Sequence, residues 1–216
     1  MAVFGRRTVV VLTFLSLSAT ACSSGGDEGG GKGVVASEVC GGFAKGAPSE
    51  AALEAVMGAE RFTGDLSEPE KALDALREAA LIDQSSKTGK PRMQGVPFCW
   101  LLSAEDGKRA LRVALREESG VPERDARFGE SVTYFATGGR AYASDSTASV
   151  FFACRMKAPA HEIVIATKLE GPDGSGNPQK GARAHLITIA NAAARHAAAD
   201  LGCQDPRLAE GVPVKS

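Results

Sequence analysis

The sequence has little of what most catalytic and nucleic-acid-binding sites require. Its 216 residues include three histidines and one tryptophan, and 25 basic residues stand against 26 acidic ones. A nucleic-acid-binding domain normally carries a basic excess, so the net charge of −1 excludes nucleic acid as an expected partner. The sequence also lacks Gly-x-Ser-x-Gly and His-Glu-x-x-His, which removes the nucleophile elbow of α/β-hydrolases and the zinc-binding helix of metalloproteases.

The apolar run near the start of the sequence is short. Residues 8–17 (TVVVLTFLSL) are ten in number, whereas a helix needs about 20 apolar residues to cross about 30 Å of hydrocarbon. Arg6 and Arg7 precede this run and small residues follow it. This pattern predicts a removable export signal over residues 1–21 and not a permanent transmembrane helix.

Cys22 follows the predicted signal directly and is the expected site of lipid attachment. The segment Ala19-Thr20-Ala21-Cys22 resembles a bacterial lipobox, in which the chain is cut before a lipidated cysteine. The alternative is an ordinary signal peptide cleaved nearby, which would leave Cys22 as a structural thiol. Residues 23–33 contain six glycines and no large apolar side chain, so we expect residues 22–36 to form a lipid-anchored tether. The predicted location is the extracytoplasmic face of the cell membrane, with acyl chains as the anchor.

Four further cysteines are present: Cys40, Cys99, Cys154 and Cys203. An even number in an exported chain favours two disulfides, and the absence of Cys-x-x-Cys removes the thioredoxin-like and zinc-knuckle alternatives. Four cysteines allow three pairings, which the sequence alone does not settle. Cys40 precedes the first predicted helix and Cys99 lies in the first strong strand, whereas Cys154 lies in a later strand and Cys203 follows the last helix. This placement favours Cys40–Cys99 and Cys154–Cys203.

The helical spacing of apolar residues predicts three helices. Ser49 is the expected N-cap of the first helix, and Gly58 is its expected C-terminal stop. Ser67 and Glu70 have the spacing of a capping box at the start of a second helix. An Ala-rich segment over residues 182–201 predicts the third.

Alternating apolar residues and turn residues predict the strands that lie between these helices. The loops 83–96 and 171–181 are rich in glycine, proline and polar residues. Strands in one run, flanked by helices, predict a single α+β domain over 37–216, with an antiparallel sheet of about four to five strands and helices packed against it. The predicted strands are a hairpin of 98–102 with 111–116, a weaker strand at 131–136, and a hairpin of 149–156 with 162–169.

Two groups of residues are candidates for ligand binding. Trp100 either lines a ligand groove or packs against the disulfide of its neighbour Cys99. Arg112 and Arg116 occupy alternate positions of one predicted strand, and Arg155 could extend them into a basic stripe. This stripe either binds an anionic component of the envelope or is an ordinary solvated sheet face.

The histidines do not suggest a metal site. His185 and His196 lie eleven residues apart on the last predicted helix, which separates them by roughly 16 Å, too far to share one ion. His196 and Asp200 have the i,i+4 spacing of a charge pair at the surface. No metal and no cofactor is expected.

The cysteine pattern resembles that of a group of bacterial proteins, the small uncharacterised secreted lipoproteins of actinobacteria, particularly of the streptomycete type. That group has no established activity, so the resemblance implies a location and a fold framework and no catalytic residue. The residues that carry the resemblance are Cys22 with its Gly/Ser tether, Cys40, Leu53, Gly58, Cys99-Trp100, Leu111, Val113 and the Ala-rich helix before Cys203.

Two functions from different classes follow from these observations. The first is a lipid-anchored, non-catalytic binding or interaction module of the cell envelope, whose partner is an envelope ligand or protein that the sequence does not identify. The second is an envelope hydrolase or transferase that uses a carboxylate pair brought together from distant segments.

Overall fold

The computed structural model describes residues 33–64, 66–82, 95–125, 131–172 and 181–216. All of them lie in one compact unit. The predicted export signal, Cys22 and most of the predicted tether fall outside the described residues, as do most of the predicted loops 83–96 and 171–181.

The chain forms an α+β fold with a single antiparallel sheet, which confirms the predicted class. The helices are α1 (Ala47–Met57), α2 (Pro69–Leu81) and α3 (Ala182–Asp200), preceded by a 3₁₀ segment (Ala36–Gly42). The strands are β1 (Val34–Val35), β2 (Arg61–Thr63), β3 (Val96–Ser103), β4 (Ala110–Glu118), β5 (Thr133–Tyr134), β6 (Arg140–Ala143), β7 (Thr147–Cys154) and β8 (Ile163–Glu170).

The sheet has eight strands, so the predicted four to five is wrong. The predicted weaker strand at 131–136 contains β5, which is only two residues long. Strands β1, β2 and β6 are two to four residues long, which is too short for an alternating pattern to stand out in the sequence. Pairing with their neighbours orders them. Val34 and Val35 fall within the predicted tether, but they pair with Phe62 and Arg61 of β2.

The strand order is β1-β2-β3-β4-β8-β7-β6-β5, with every neighbouring pair antiparallel. The two predicted hairpins, β3–β4 and β7–β8, form the centre of the sheet. Their second strands pair with each other, for example at Leu115 and Thr167. The sheet is therefore continuous across both halves of the chain.

The helices and one face of the sheet enclose a single hydrophobic core. Helix α2 packs on β3 and β4, α3 packs on β6, β7 and β8, and α1 packs against α3. Leu76 of α2 and Ile189 of α3 are fully buried in the same cluster as Leu115 of β4 and Phe152 of β7. The apolar faces of the helices and of the strands therefore meet in one core.

Helix α1 begins earlier than predicted. Ser49 lies inside the helix, and Gly46 is the N-cap, with its N–H donating to the Glu50 carboxylate at 2.9 Å. Gly58 ends the helix as predicted. Its φ of +57° is the left-handed conformation that glycine adopts without strain, and its N–H donates to the Glu54 carbonyl at 2.7 Å.

The predicted capping box of α2 does not form. Glu68 is the N-cap, and its side chain makes no capping hydrogen bond to the helix backbone. The Ser67 hydroxyl accepts from the Trp100 N–H at 2.9 Å, donates to the Trp100 carbonyl at 3.2 Å, and lies 3.1 Å from the Cys40 sulfur. Ser67 therefore hydrogen-bonds to the backbone of β3 at Trp100, beyond the two residues of β3 that pair with β2.

The two disulfides are Cys40–Cys99 and Cys154–Cys203, the pairing that the sequence favours. Their Cα–Cα distances are 5.6 and 4.8 Å, within the usual range. The first joins the 3₁₀ segment to β3. The second joins β7 to the chain that follows α3.

Residues 203–216, which we call the closing segment, run past α3 to the β5 edge of the sheet. The buried Thr137 hydroxyl donates to the Asn191 side-chain oxygen at 2.5 Å and accepts from the Ala209 N–H at 2.9 Å. The Asn191 amide donates to the Ala209 carbonyl at 2.8 Å. Ala136 donates its N–H to the Val214 carbonyl at 2.8 Å. These bonds fix the closing segment against the core.

Candidate functional site

The face of the sheet opposite the hydrophobic core, which we call the outer face, is the candidate functional site. Its side chains alternate along each strand with those of the core face. None of them belongs to the core cluster that contains the helix residues. By strand register they are Trp100 and Leu102 of β3; Arg112, Ala114, Arg116 and Glu118 of β4; Val164, Ala166, Lys168 and Glu170 of β8; Thr147, Ser149 and Phe151 of β7; Arg140 and Tyr142 of β6; and Tyr134 of β5.

One end of the outer face is built around Trp100. The Arg112 guanidinium lies 4.4 Å from the centre of the Trp100 ring and 3.7 Å from the Glu170 carboxylate. Trp100 and Glu170 both lie beside Arg112 because each is directly paired with it on a neighbouring strand. Beside them is an open cavity of about 430 Å³, into which Lys108 also faces.

The structure decides between the two expectations for Trp100. Cys99 is fully buried on the core side, and consecutive strand residues point to opposite faces. The expectation that the indole packs against the disulfide is therefore wrong. Trp100 instead lines the open cavity on the outer face, and its role in binding a ligand stays a prediction.

The middle of the outer face carries a cluster of charged side chains. Arg116 contacts the Glu118 carboxylate, and Lys168 Nζ lies 3.6 Å from the same group. Burial and the neighbouring Arg116 charge lower the pKa of Lys168, while Glu118 acts in the opposite direction. Arg116 and Lys168 therefore share the single carboxylate of Glu118.

Aromatic rings form the other end of the outer face. The rings of Tyr134 and Tyr142, and those of Tyr142 and Phe151, have centroids 6.0 Å apart. Phe151 is nearly buried although it lies outside the core cluster. The Arg124 guanidinium lies 4.2 Å from the Tyr134 ring centre, so an arginine from the segment after β4 covers this end.

The predicted basic stripe lies on the outer face only in part. Arg112 and Arg116 are both there, as the alternation on β4 predicts. Arg155 lies past the end of β7 and pairs with Glu162 at 2.8 Å. The strands contribute four cationic and two acidic side chains to this face, while the whole chain has a net charge of −1. Positive charge is thus concentrated on the outer face.

The histidine and metal expectations can be checked on the described residues. His196 and Asp200 form the expected pair, 3.2 Å apart at the partly exposed end of α3. Within the described ranges, no group of three or more His, Cys, Asp or Glu side chains is placed to hold a metal ion.

The carboxylates on the outer face are too far apart to act as a catalytic pair. Glu170 faces Arg112, which lies six residues from Glu118 along β4. At about 3.3 Å per residue this places the two carboxylates about 20 Å apart. Glu117, the neighbour of Glu118, is buried on the core side. The two carboxylates of a glycoside hydrolase, for comparison, lie within about 10 Å of each other.

Comparison of the chain with protein-family models, with curated proteins and with solved structures finds no match. Among the residues that the structure describes, no helix has the length and apolar character needed to cross a membrane.

Proposed function

We propose that this chain is a lipid-anchored binding module of the bacterial cell envelope, attached through Cys22 and acting without catalysis. The observation that carries the proposal is the outer face. It presents Trp100 at one end, aromatic rings at the other and a net positive charge between them, on strands whose opposite side is fixed by the core. Side chains on a rigid sheet bind with little loss of conformational entropy.

The location rests on the start of the sequence and on the oxidised cysteines. Two disulfides are typical of proteins outside the cytoplasm. A tether of about 11 glycine-rich residues has an r.m.s. span of roughly 17–20 Å, so it would hold the domain close to the membrane. The same arrangement is implied by the resemblance to streptomycete-type lipoproteins. The partners we propose are the membrane, through the acyl chains, and an envelope ligand or protein on the outer face.

Metabolic labelling with radioactive palmitate tests the anchor. We expect label in the wild-type protein and none in Cys22→Ser, because the thiol is the acylated group. Equal labelling of the two proteins would contradict lipid attachment at Cys22.

Chemical crosslinking in intact cells, followed by mass spectrometry, tests the binding surface. We expect the double variant Trp100→Ala, Arg112→Gln to lose the neighbours that the wild type captures. The matched control, Arg77→Gln and Glu78→Gln on helix α2, should keep them. Loss from both variants, or from neither, would contradict a binding role for the outer face.

A further inference from the structure

A second cavity, of about 320 Å³, opens where the β5–β6 end of the outer face meets the closing segment. Three arginines from distant parts of the chain line it, together with Tyr134: Arg124 follows β4, Arg140 begins β6 and Arg207 belongs to the closing segment. We call this group the arginine pocket. The described residues that line it include Ser216 and no Asp or Glu, and Arg207 pairs with Asp205, which lies 3.7 Å away outside the lining.

Two of the guanidinium groups are held against one ring. Arg124 and Arg140 have their guanidinium carbons 4.2 and 5.9 Å from the centre of the Tyr134 ring. Neither arginine takes part in an ion pair with any residue in the described ranges. Two like charges gathered in this way repel each other unless an anion lies between them.

Arg140 also has an unused hydrogen-bond donor. Its Nε is buried and has no acceptor. Buried donors are almost always paired in folded proteins, because water cannot reach them to replace the missing bond. An oxyanion in the pocket would supply the negative charge that Arg124 and Arg140 lack. The buried Nε itself is out of reach of such an ion, as it is out of reach of water.

The backbone of the closing segment brings the third arginine to the pocket. Arg207 has a φ of +55°, in the left-handed region that residues other than glycine rarely adopt. Its carbonyl accepts the Gly138 N–H at 2.9 Å, which fixes this turn beside the cavity. An arginine thus occupies a position where glycine would fold more easily.

We propose that the arginine pocket binds a phosphate group, either as free phosphate or as a phosphomonoester on an envelope ligand. Guanidinium groups are planar forks that match phosphate oxygens, and two of them without an ion pair, Arg124 and Arg140, suit a group with close to two negative charges. The inference rests on the proposed function in that it assigns a ligand group to one end of the outer face. The Trp100 end takes no part in it.

Isothermal titration calorimetry on the full-length chain in a non-ionic detergent tests this proposal. The probes are inorganic phosphate and glycerol 1-phosphate at low salt, titrated separately. We expect one saturable site, with affinity reduced about tenfold or more in Arg140→Gln and in Arg207→Gln, because each loses a charge-assisted hydrogen bond. Arg155→Gln has the same charge change at an exposed position that is not on the outer face, and it should bind as the wild type does.

The two probes separate the possible sources of the phosphate. Equal affinity identifies the phosphate group itself as the ligand, whereas tighter binding of the ester identifies a phosphomonoester. Arg207 is 80% exposed, so its replacement tests the pocket without disturbing the core. No saturable binding of either probe, or an equal loss in Arg155→Gln, would overturn the proposal. Neither result would change the crosslinking expected from the Trp100 end of the outer face. Failure of the phosphate proposal can therefore be distinguished from failure of the proposed function.

Discussion

Ser67 shows how a long-range contact can override a local sequence pattern. Its spacing to Glu70 is that of a capping box, but its hydroxyl bonds to both backbone groups of Trp100, 33 residues away. A pattern read over four residues contains no information about a strand that far along the chain. The helix that the pattern predicts is present, whereas the role assigned to the serine is wrong.

Replacing Ser67 by alanine should lower the free energy of unfolding by about 1–2 kcal/mol, because the Trp100 N–H and carbonyl lose their partner in a partly buried position. Urea denaturation measures this change. Ser146→Ala, in an exposed turn, is the control and should change the free energy by less than about 0.5 kcal/mol. Equal effects of the two substitutions would show that the Ser67 bonds contribute nothing.

Lys168 provides a test of the electrostatics of the outer face. Burial and the Arg116 charge lower the pKa of Lys168. Replacing Arg116 by Gln removes the repulsion and leaves Glu118 to pair with Lys168 alone, so the pKa of Lys168 should rise toward its ordinary value of 10.5. NMR titration of the Lys168 side chain measures it. Arg155→Gln is the control and should leave the pKa of Lys168 unchanged.

This lowered pKa also has a consequence for stability. In the pH range between the folded-state and unfolded-state pKa of Lys168, the unfolded chain binds more protons than the folded one. The free energy of unfolding should therefore gain a rising contribution as the pH increases through that range. Arg116→Gln should reduce this rise. An unchanged Lys168 pKa in Arg116→Gln would contradict the proposed arrangement of charges.

At the scale of elements, periodicity could predict the long helices and strands. Helices α1 to α3 and strands β3, β4, β7 and β8 each carry enough residues for a repeat of 3.6 or 2 to be visible. The short strands β1, β2 and β6 depend on pairing with their neighbours, so no local signal marks them, and β5 is marked only by the weaker pattern over 131–136. The closing segment carries no periodic pattern either, and hydrogen bonds to Thr137 and Asn191 order it.

Replacing Thr137 by valine should release the closing segment. The substitution leaves the Ala209 N–H without its acceptor and removes the hydroxyl donor to Asn191. We expect the free energy of unfolding to fall by about 1–3 kcal/mol and amide exchange in residues 208–216 to accelerate. Hydrogen–deuterium exchange mass spectrometry measures both.

The matched control is Thr188→Val on α3, because the Thr188 hydroxyl bonds only to the Ala184 carbonyl of its own helix. It should leave exchange in the closing segment unchanged. Unaltered exchange of residues 208–216 in Thr137→Val would contradict the role of the Thr137–Asn191 bond.

At the scale of the whole molecule, the sequence could predict only those parts of the candidate site whose residues lie on the same strand. Arg112 and Arg116 share the outer face because they alternate on β4, and this much follows from the sequence. Arg124, Arg140 and Arg207 come from three segments, and only the folded chain brings them to one cavity. The disulfide pairing was partly predictable. The placement of the cysteines relative to the predicted helices and strands favours the pairing found, although the sequence alone allows three.

Photo-crosslinking from single positions in intact cells tests the central claim, that the outer face is the binding surface, most directly. A photoreactive amino acid at Ala114, in the middle of the outer face, is compared with one at Glu78, exposed on α2. We expect a discrete crosslinked species from Ala114 and none from Glu78, because the partner contacts the outer face of the sheet and leaves the helical side free. Crosslinks from Glu78 alone, or the same species from both positions, would contradict the account.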